Sequence, residues 1–301
     1  MAEGAFRITD SDYADVNFSR LLQYTQVGFL MCGGPSLKKT PLITRLNGRG
    51  YFTMAVNNAA AFDWIKPNAF VCSDPPKKFQ SSIWYDPSIM KFVPMQKLPR
   101  HKGVIRQKIK GEFYVDDVSV CHMPNVWGFS RRTWLMPDDS FFKHEASWGV
   151  LNRGLKQSPG QPKTACTMLL GLRLLYEMGA RTIYLVGADF NMTSEGYAFP
   201  QERTEDAVRS NNVQYHIVND WLCKMSEDGV FHRAGLEVFN CNPDSGLQAF
   251  PHKDLEESLQ DALTYMPAEP FDTEGWYEKE DSGSIGERKR HRGKGNPLDQ
   301  S

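Results

Sequence analysis

Residues 27–38 read Val27-Gly28-Phe29-Leu30-Met31-Cys32-Gly33-Gly34-Pro35-Ser36-Leu37-Lys38. The run from Val27 to Cys32 is apolar throughout, with no polar residue at every second position. A short continuous run of this kind predicts a strand buried on both faces, as in a parallel sheet covered by helices. It stops abruptly at Gly33-Gly34-Pro35, and Ser36 is then placed to cap a helix over Ser36–Leu46. The two glycines let the backbone come close to a ligand, and the helix that follows offers free N–H groups to an anion.

The same grammar repeats outward from this corner. Tyr51–Val56 (YFTMAV) stops at Asn57-Asn58, and Ala69–Cys72 (AFVC) at Ser73-Asp74. Thr182–Val186 (TIYLV) stops at Gly187-Ala188-Asp189, and Leu236–Cys241 (LEVFNC) at Asn242-Pro243-Asp244. Between them lie helical patterns. Thr164–Met178 carries Ala165, Met168, Leu169, Leu172 and Leu175 on one face, with Gly179 as its stop. Ala207–Met225 places Val213, Ile217, Leu222 and Met225 near helical spacing, and Asp254–Tyr265 opens with acidic residues at the favourable end of the helix dipole. Strands alternating with helices predict a Rossmann-like α/β fold, a mostly parallel sheet with helices on both faces. The expected organisation is one domain over 1–266 and a disordered tail over 267–301, rich in Glu, Gly, Lys and Pro and ending in RKRHRGKGNPLDQS. Residues 77–160 hold short β-like runs (Phe113–Val115, Val118–His122) and many aromatics. They read either as an irregular insertion forming a lid or as part of the same core.

Composition narrows the function classes. With 41% hydrophobic residues over 301, the chain can bury a sizeable core, and a net charge of -1 supplies no global field toward nucleic acid or acidic membranes. The six cysteines stand singly, with no C-x-x-C pair, and are read as free thiols in a reducing compartment. No secretion signal and no run of 18 apolar residues is visible, so a soluble cytoplasmic chain without membrane partner is expected.

Three features could carry chemistry. The Gly33-Gly34-Pro35-Ser36 corner is neither G-x-G-x-x-G nor a Walker loop, which weighs against NAD and P-loop readings. Asn57, Asn58, Ser73 and Asp74 end the next two strands, where ligands of open α/β sheets bind, and amides and carboxylates there suit a nucleoside. Asp189 ends another strand and is read as a base, a metal ligand or a cap. Tyr197, eight residues on and preceded by Gly196, is placed to donate a hydrogen bond to a phosphate. For each of these residues an ordinary turn, cap or packing role is the competing reading.

The segments MCGGPSLK, TIYLVGADF, GYAF and CNPDSGLQAF, in this order and spacing, resemble those of bacterial CMP-sialic-acid-dependent sialyltransferases, and also of the related 6-hydroxymethylpterin diphosphokinase-like family. The resemblance covers mainly 27–75 and 164–250. It implies a glycosyltransferase-A-like variant of the fold, with the nucleotide held by Gly33, Gly34 and Ser36 and the second-strand polar pair at Asn57 and Asn58. With Ser73 and Asp74 from the polar strand ends, and Thr164 and Asn191, these residues make up the candidate donor-binding set. The resemblance implies for Tyr197 a place facing the leaving phosphate. This chain departs from the pattern at Gly33, where the sialyltransferases have Asn, and at Asn191, where they have a second tyrosine. Their catalytic histidine falls near Ser210, where this chain has none; His216 lies six residues further on.

The leading expectation is therefore a metal-independent transferase that moves a sugar from a nucleotide-sugar donor to an unidentified acceptor hydroxyl on a glycan, a lipid or a hydroxylated nucleobase of viral DNA. No cofactor is expected. Tyr197 assists the leaving group, and the base is Asp189, His216 or Asp74. Nucleic acid enters as a partner only through the basic tail. One alternative is diphosphate transfer to a pterin-like alcohol, which needs Mg²⁺ held by Asp74 and Asp189. Another is a nucleotide-binding protein without catalysis.

Overall fold

The pleat of each strand sends alternate side chains into opposite apolar layers. Val27, Phe29 and Met31 enter one layer with Ala55, Tyr184 and Val186, while Leu30, Met54, Val56 and Leu185 enter the other. Neither layer can face water, so helices cover both sides. The computed structural model describes residues 6–12, 14–40, 42–47, 50–61, 65–74, 76–95, 104–107, 113–116, 120, 123–129, 139–143, 166–193, 196–198 and 204–264. Thr164 and the expected tail over 267–301 lie outside the described residues.

In chain order the strands are β1 (Ile8–Thr9), β2 (Val27–Met31), β3 (Thr53–Val56), β4 (Ala69–Val71), β5 (Met90–Pro94), β6 (Val104–Gln107), β7 (Phe113–Asp116), β8 (Val126–Phe129), β9 (Thr182–Val186) and β10 (Glu237–Asn240). The helices are α1 (Ser36–Lys39), α2 (Ser81–Tyr85), α3 (Ser140–Lys143), α4 (Thr167–Glu177), α5 (Glu205–Glu227), α6 (Val230–Arg233) and α7 (Leu255–Thr264). Eight strands form one sheet in the order β1-β8-β5-β4-β3-β2-β9-β10. All neighbours are parallel except the β1–β8 pair at one edge. The chain winds outward from β2 through β3, β4 and β5 to β8, then returns to the other side of β2 and continues through β9 to β10. The winding direction reverses between β2 and β9, and ligands of open α/β sheets bind outside the carboxyl ends of strands at such a point. The fold is α/β with a mostly parallel sheet, as the apolar runs predicted.

Within 77–160, β5 and β8 belong to the main sheet, and Trp84 of α2 is fully buried against it with Phe70 and Phe79. β6 and β7 form a separate antiparallel hairpin, which takes in the predicted run at Phe113–Val115. Apart from Val120, the run at Val118–His122 lies outside the described residues.

The helix predicted over Ser36–Leu46 is corrected. It ends as α1 at Lys39, and a 3₁₀ turn follows over Ile43–Asn47. Pro41 is the cause: the residue before a proline is pushed out of the helical region, and Thr40 is extended, with ψ 101°. Ser36 is also not the cap. Pro35 holds that position, and the Ser36 side chain turns elsewhere. α4 begins three residues later than expected and is buried almost all round, from Met168 to Leu175. Gly171 packs so close to β2 that an added Cβ would lie 2.4 Å from Leu30 Cδ1. α5 is longer than its apolar pattern, capped by Thr204 and led by Glu205 and Asp206. Among the described residues no helix is long and apolar enough to cross a membrane, and five cysteines are free.

Lys91 of β5 is fully buried, and its ammonium donates to the carbonyls of Asp86 and Pro124, tying the segments that enter β5 and β8. Burial holds its pKa down, from 10.5 to about 8. The folded chain thus binds fewer protons than the unfolded chain between those values, and stability rises as pH climbs through that window. Lys91→Met keeps the bulk but orphans two carbonyls. It is expected to cost about 1–3 kcal/mol at pH 7, and more at pH 9.5, by urea unfolding. A gap that narrows toward alkaline pH would contradict this account.

Candidate functional site

The ends of β2, β9 and β10 are stitched together by the backbone. Cys32 N–H donates to Val186 O at 2.8 Å and Gly34 N–H to Gly187 O at 2.9 Å. Gly187 has φ 72°, a left-handed turn open to glycine, and this turn aims Asp189 at the first loop. There the Asp189 carboxylate accepts from Ser36 N–H at 2.9 Å, from the Ser36 hydroxyl, and from Asn242 Nδ2 at 2.8 Å. Its backbone oxygen accepts from Gly246 N–H at 2.8 Å, while Ser245 Oγ donates to Ala188 O at 2.5 Å. Both carboxylate oxygens are engaged within the protein. That is an arrangement for holding the Gly33–Ser36 corner in place. It also corrects the expectation that the helix after this corner offers free N–H groups. α1 has four residues, and its leading N–H is taken by Asp189.

A longer helix opens at the same edge. α4 runs into β9 and so lies antiparallel to the strands, with its start at their carboxyl ends. Thr167, its first residue, meets Asn57 from the end of β3 (Asn57 Nδ2 to Oγ1, 3.3 Å) and Ser73 from beyond β4 (Oγ to Oγ, 3.1 Å). A helix start carries partial positive charge and orphan N–H groups. Asn57 sits in the left-handed region at φ 52°, and its buried Oδ1 has no hydrogen-bond partner among the described residues. A strained residue with an unsatisfied buried acceptor points to function. Cys166, before Thr167, and Cys32, after β2, are both raised by burial, Cys166 to about 11 and Cys32 well above the usual thiol range. At neutral pH both are thiols, poor nucleophiles and poor metal ligands.

The third wall is the loop after β9. Ala198 N–H donates to Gly33 O at 3.0 Å, which brings Tyr197 beside the first loop. α5 fixes the loop from outside: Asn212 Oδ1 accepts from Met192 N–H at 2.8 Å, and Asn212 Nδ2 donates to Met192 O at 3.0 Å. Three residues on, the Tyr215 ring stacks on Phe190 at 5.0 Å between centroids. Burial pushes the Tyr215 phenol far above the usual phenol range, and Tyr197, Cys166 and Cys32 add to the shift.

The structure therefore brings together Gly33, Gly34, Ser36, Asn57, Ser73, Asp189 and Tyr197. Asn58 follows Asn57 in the same 3₁₀ turn. Asp74 is half-exposed and paired with Lys78 at 2.9 Å, away from Asp189's partners. Asn191 and His216 are exposed. Thr167, Asn242, Asn212 and Tyr215 escaped the sequence reading. The polar turn at Asn242-Pro243-Asp244 was visible, but its partner was not. Among the described residues no three His, Cys, Asp or Glu side chains are grouped to hold a metal ion. Compared with known proteins, the chain matches no family model, no curated protein and no solved structure.

Proposed function

We propose that the chain binds a nucleotide-sugar at the β2/β9 switch point and transfers the sugar to an acceptor hydroxyl. The observation that carries this reading is the meeting of Asn57, Ser73 and Thr167 at the start of α4, next to the Gly33–Ser36 corner and Tyr197. A nucleoside phosphate fits the chemistry of that set. The α4 start and Tyr197 suit the phosphate, and the unsatisfied Asn57 Oδ1 suits a ribose hydroxyl or base amino group. In the transfer, the acceptor oxygen bonds to the anomeric carbon, the sugar–phosphate bond breaks, and the nucleotide leaves with the electron pair. The acceptor proton passes to a base. Charge grows on the departing phosphate, so donors aimed at it favour the transition state over the ground state. In this reading Asp189 serves the donor loop.

A thermal-shift screen with CMP, UMP and their sugar conjugates, with and without EDTA, tests it. A nucleotide at a hundred times its Kd should stabilise the fold by about 2.7 kcal/mol, with EDTA making no difference. Asn57→Gly removes the strain and the unpaired acceptor. Its stability should stay within about 1 kcal/mol of the parent while nucleotide affinity falls. Undiminished affinity in Asn57→Gly, or absence of sugar turnover with any bound conjugate, would reject the reading.

A further inference from the structure

Asn57 follows β3 at φ 52°, a left-handed backbone that asparagine adopts more readily than most residues. The turn accounts for the residue type but not for its amide, of which one end is committed and the other is not. Nδ2 donates to Thr167 Oγ1 at 3.3 Å. Oδ1 is buried and has no hydrogen-bond partner among the described residues. Thr167 leads α4, and its hydroxyl also meets Ser73 Oγ at 3.1 Å. A hydroxyl has one proton. Thr167 accepts from Asn57, so its own proton is left for Ser73, and donation runs from Asn57 through Thr167 to Ser73. While it runs that way the amide is held, because a turned amide would bring Oδ1 to a hydroxyl whose proton is already given. The ligand therefore meets an acceptor at this place and not the matching donor.

A ligand hydroxyl gives and takes, so it pairs with either end of an amide. An exocyclic amino group of a base only gives, and a ring carbonyl only takes. A held amide separates these two. Against Oδ1 an amino group finds a partner, whereas a carbonyl sets two acceptors face to face with neither paired, which costs affinity steeply in a buried place.

We propose that Thr167 is a specificity-determining residue, which holds the Asn57 amide with its oxygen toward the ligand, so that the site takes a nucleotide whose base carries an exocyclic amino group and rejects one with a carbonyl in its place. This rests on the nucleotide-binding reading above.

Titration calorimetry on the full chain compares CMP with UMP, and AMP with IMP, in the parent, Thr167→Val, Thr167→Ser and Asn57→Gly, with a melting curve for each variant. In the parent, the amino member of whichever pair binds should be the tighter by roughly ten- to a hundredfold. Thr167→Val keeps the side-chain shape but frees the amide to turn. The gap should then shrink by roughly tenfold, mainly because the carbonyl nucleotide binds better. Thr167→Ser keeps the hydroxyl and should keep the gap, while Asn57→Gly removes the acceptor and should remove the gap with it. Equal weakening of both members in Thr167→Val would mean that Thr167 only packs. A parent that separates CMP from its 2′-deoxy form but not from UMP would mean that Oδ1 meets a ribose hydroxyl. Either result, or a parent that binds both members alike, would overturn the proposal while leaving the nucleotide site standing. A parent chain that binds none of the four nucleotides would overturn both. If Thr167→Val melts early, Ser73→Ala, which releases the Thr167 proton and so lets the amide turn, must narrow the gap in its place for the proposal to survive.

Discussion

Gly34→Ala is expected to lower stability by about 2–4 kcal/mol, which for a domain of this size is a fall of roughly 5–15 °C in Tm. A Cβ at this position would lie 2.5 Å from Asp189 Cγ, 2.5 Å from Asp189 Oδ2 and 2.5 Å from Gly187 O. Carbon atoms rest at about 3.5–4.0 Å, so all three overlaps are severe. The local routes to relief are costly. Moving the carboxylate breaks its bonds to Ser36 and Asn242. Moving Gly187 O breaks the bond from Gly34 itself, beside the junction where Cys32 joins Val186. The effect is one of close approach and not of backbone freedom. Gly235, at φ 64° with open space around it, supplies the control. Gly235→Ala should cost only about 1 kcal/mol, the price of a left-handed alanine. Denaturant unfolding of both variants decides the matter; a Gly34→Ala loss no greater than that of Gly235→Ala would show that the corner can open.

That contact also marks where the sequence stops being readable. β9 has the bounds its apolar run predicted, and β2 differs only in losing Cys32, because continuous apolar runs closed by glycine are local signals. The β2–β9 junction was not local. Ser36 looked like an ordinary helix cap, yet its hydroxyl and N–H go to a carboxylate 153 residues away. α5 failed differently. Its expected apolar face included Val213 and Ile217, but Val213 is 46% exposed, and the buried apolar residues begin at Val218. The first half of this helix packs on the loop after β9 through Asn211, Asn212 and Tyr215. Hydrophobic periodicity is blind to a contact made by amides and a phenol, and so Tyr215 passed unnoticed. The α4 seat was half-legible. Asn57 and Ser73 stood out as polar strand ends, but the Thr167 side chain that joins them could be found only once α4 was seen to start at that edge.

Asp189→Asn separates the two roles that a carboxylate at a strand end invites. A general base keeps its fold when made an amide and loses only turnover. The geometry here predicts the opposite order of events. Three donors converge on the carboxylate: Ser36 N–H and its hydroxyl, and Asn242 Nδ2. The carboxylate accepts from all of them, but an asparagine has one oxygen and an NH₂ that must face a donor. Whichever way the amide turns, one donor is left unpaired in a half-buried site, and the charge that strengthened the remaining bonds is gone. Asp189→Asn should therefore lose about 2–3 kcal/mol of stability, with nucleotide affinity falling alongside as the Gly33–Ser36 corner loosens. Ser36→Ala should lose less, because the backbone N–H stays. The double variant should show a coupling of about 0.5–3 kcal/mol, since the two residues act as one unit. If Asp189→Asn instead melts with the parent and binds nucleotide as tightly while turnover disappears, the carboxylate is the base and the corner stands without it. Rescue separates the cases further: a loosened corner should regain order, and with it Tm, at saturating nucleotide, because a ligand that binds only the ordered form draws the population toward it.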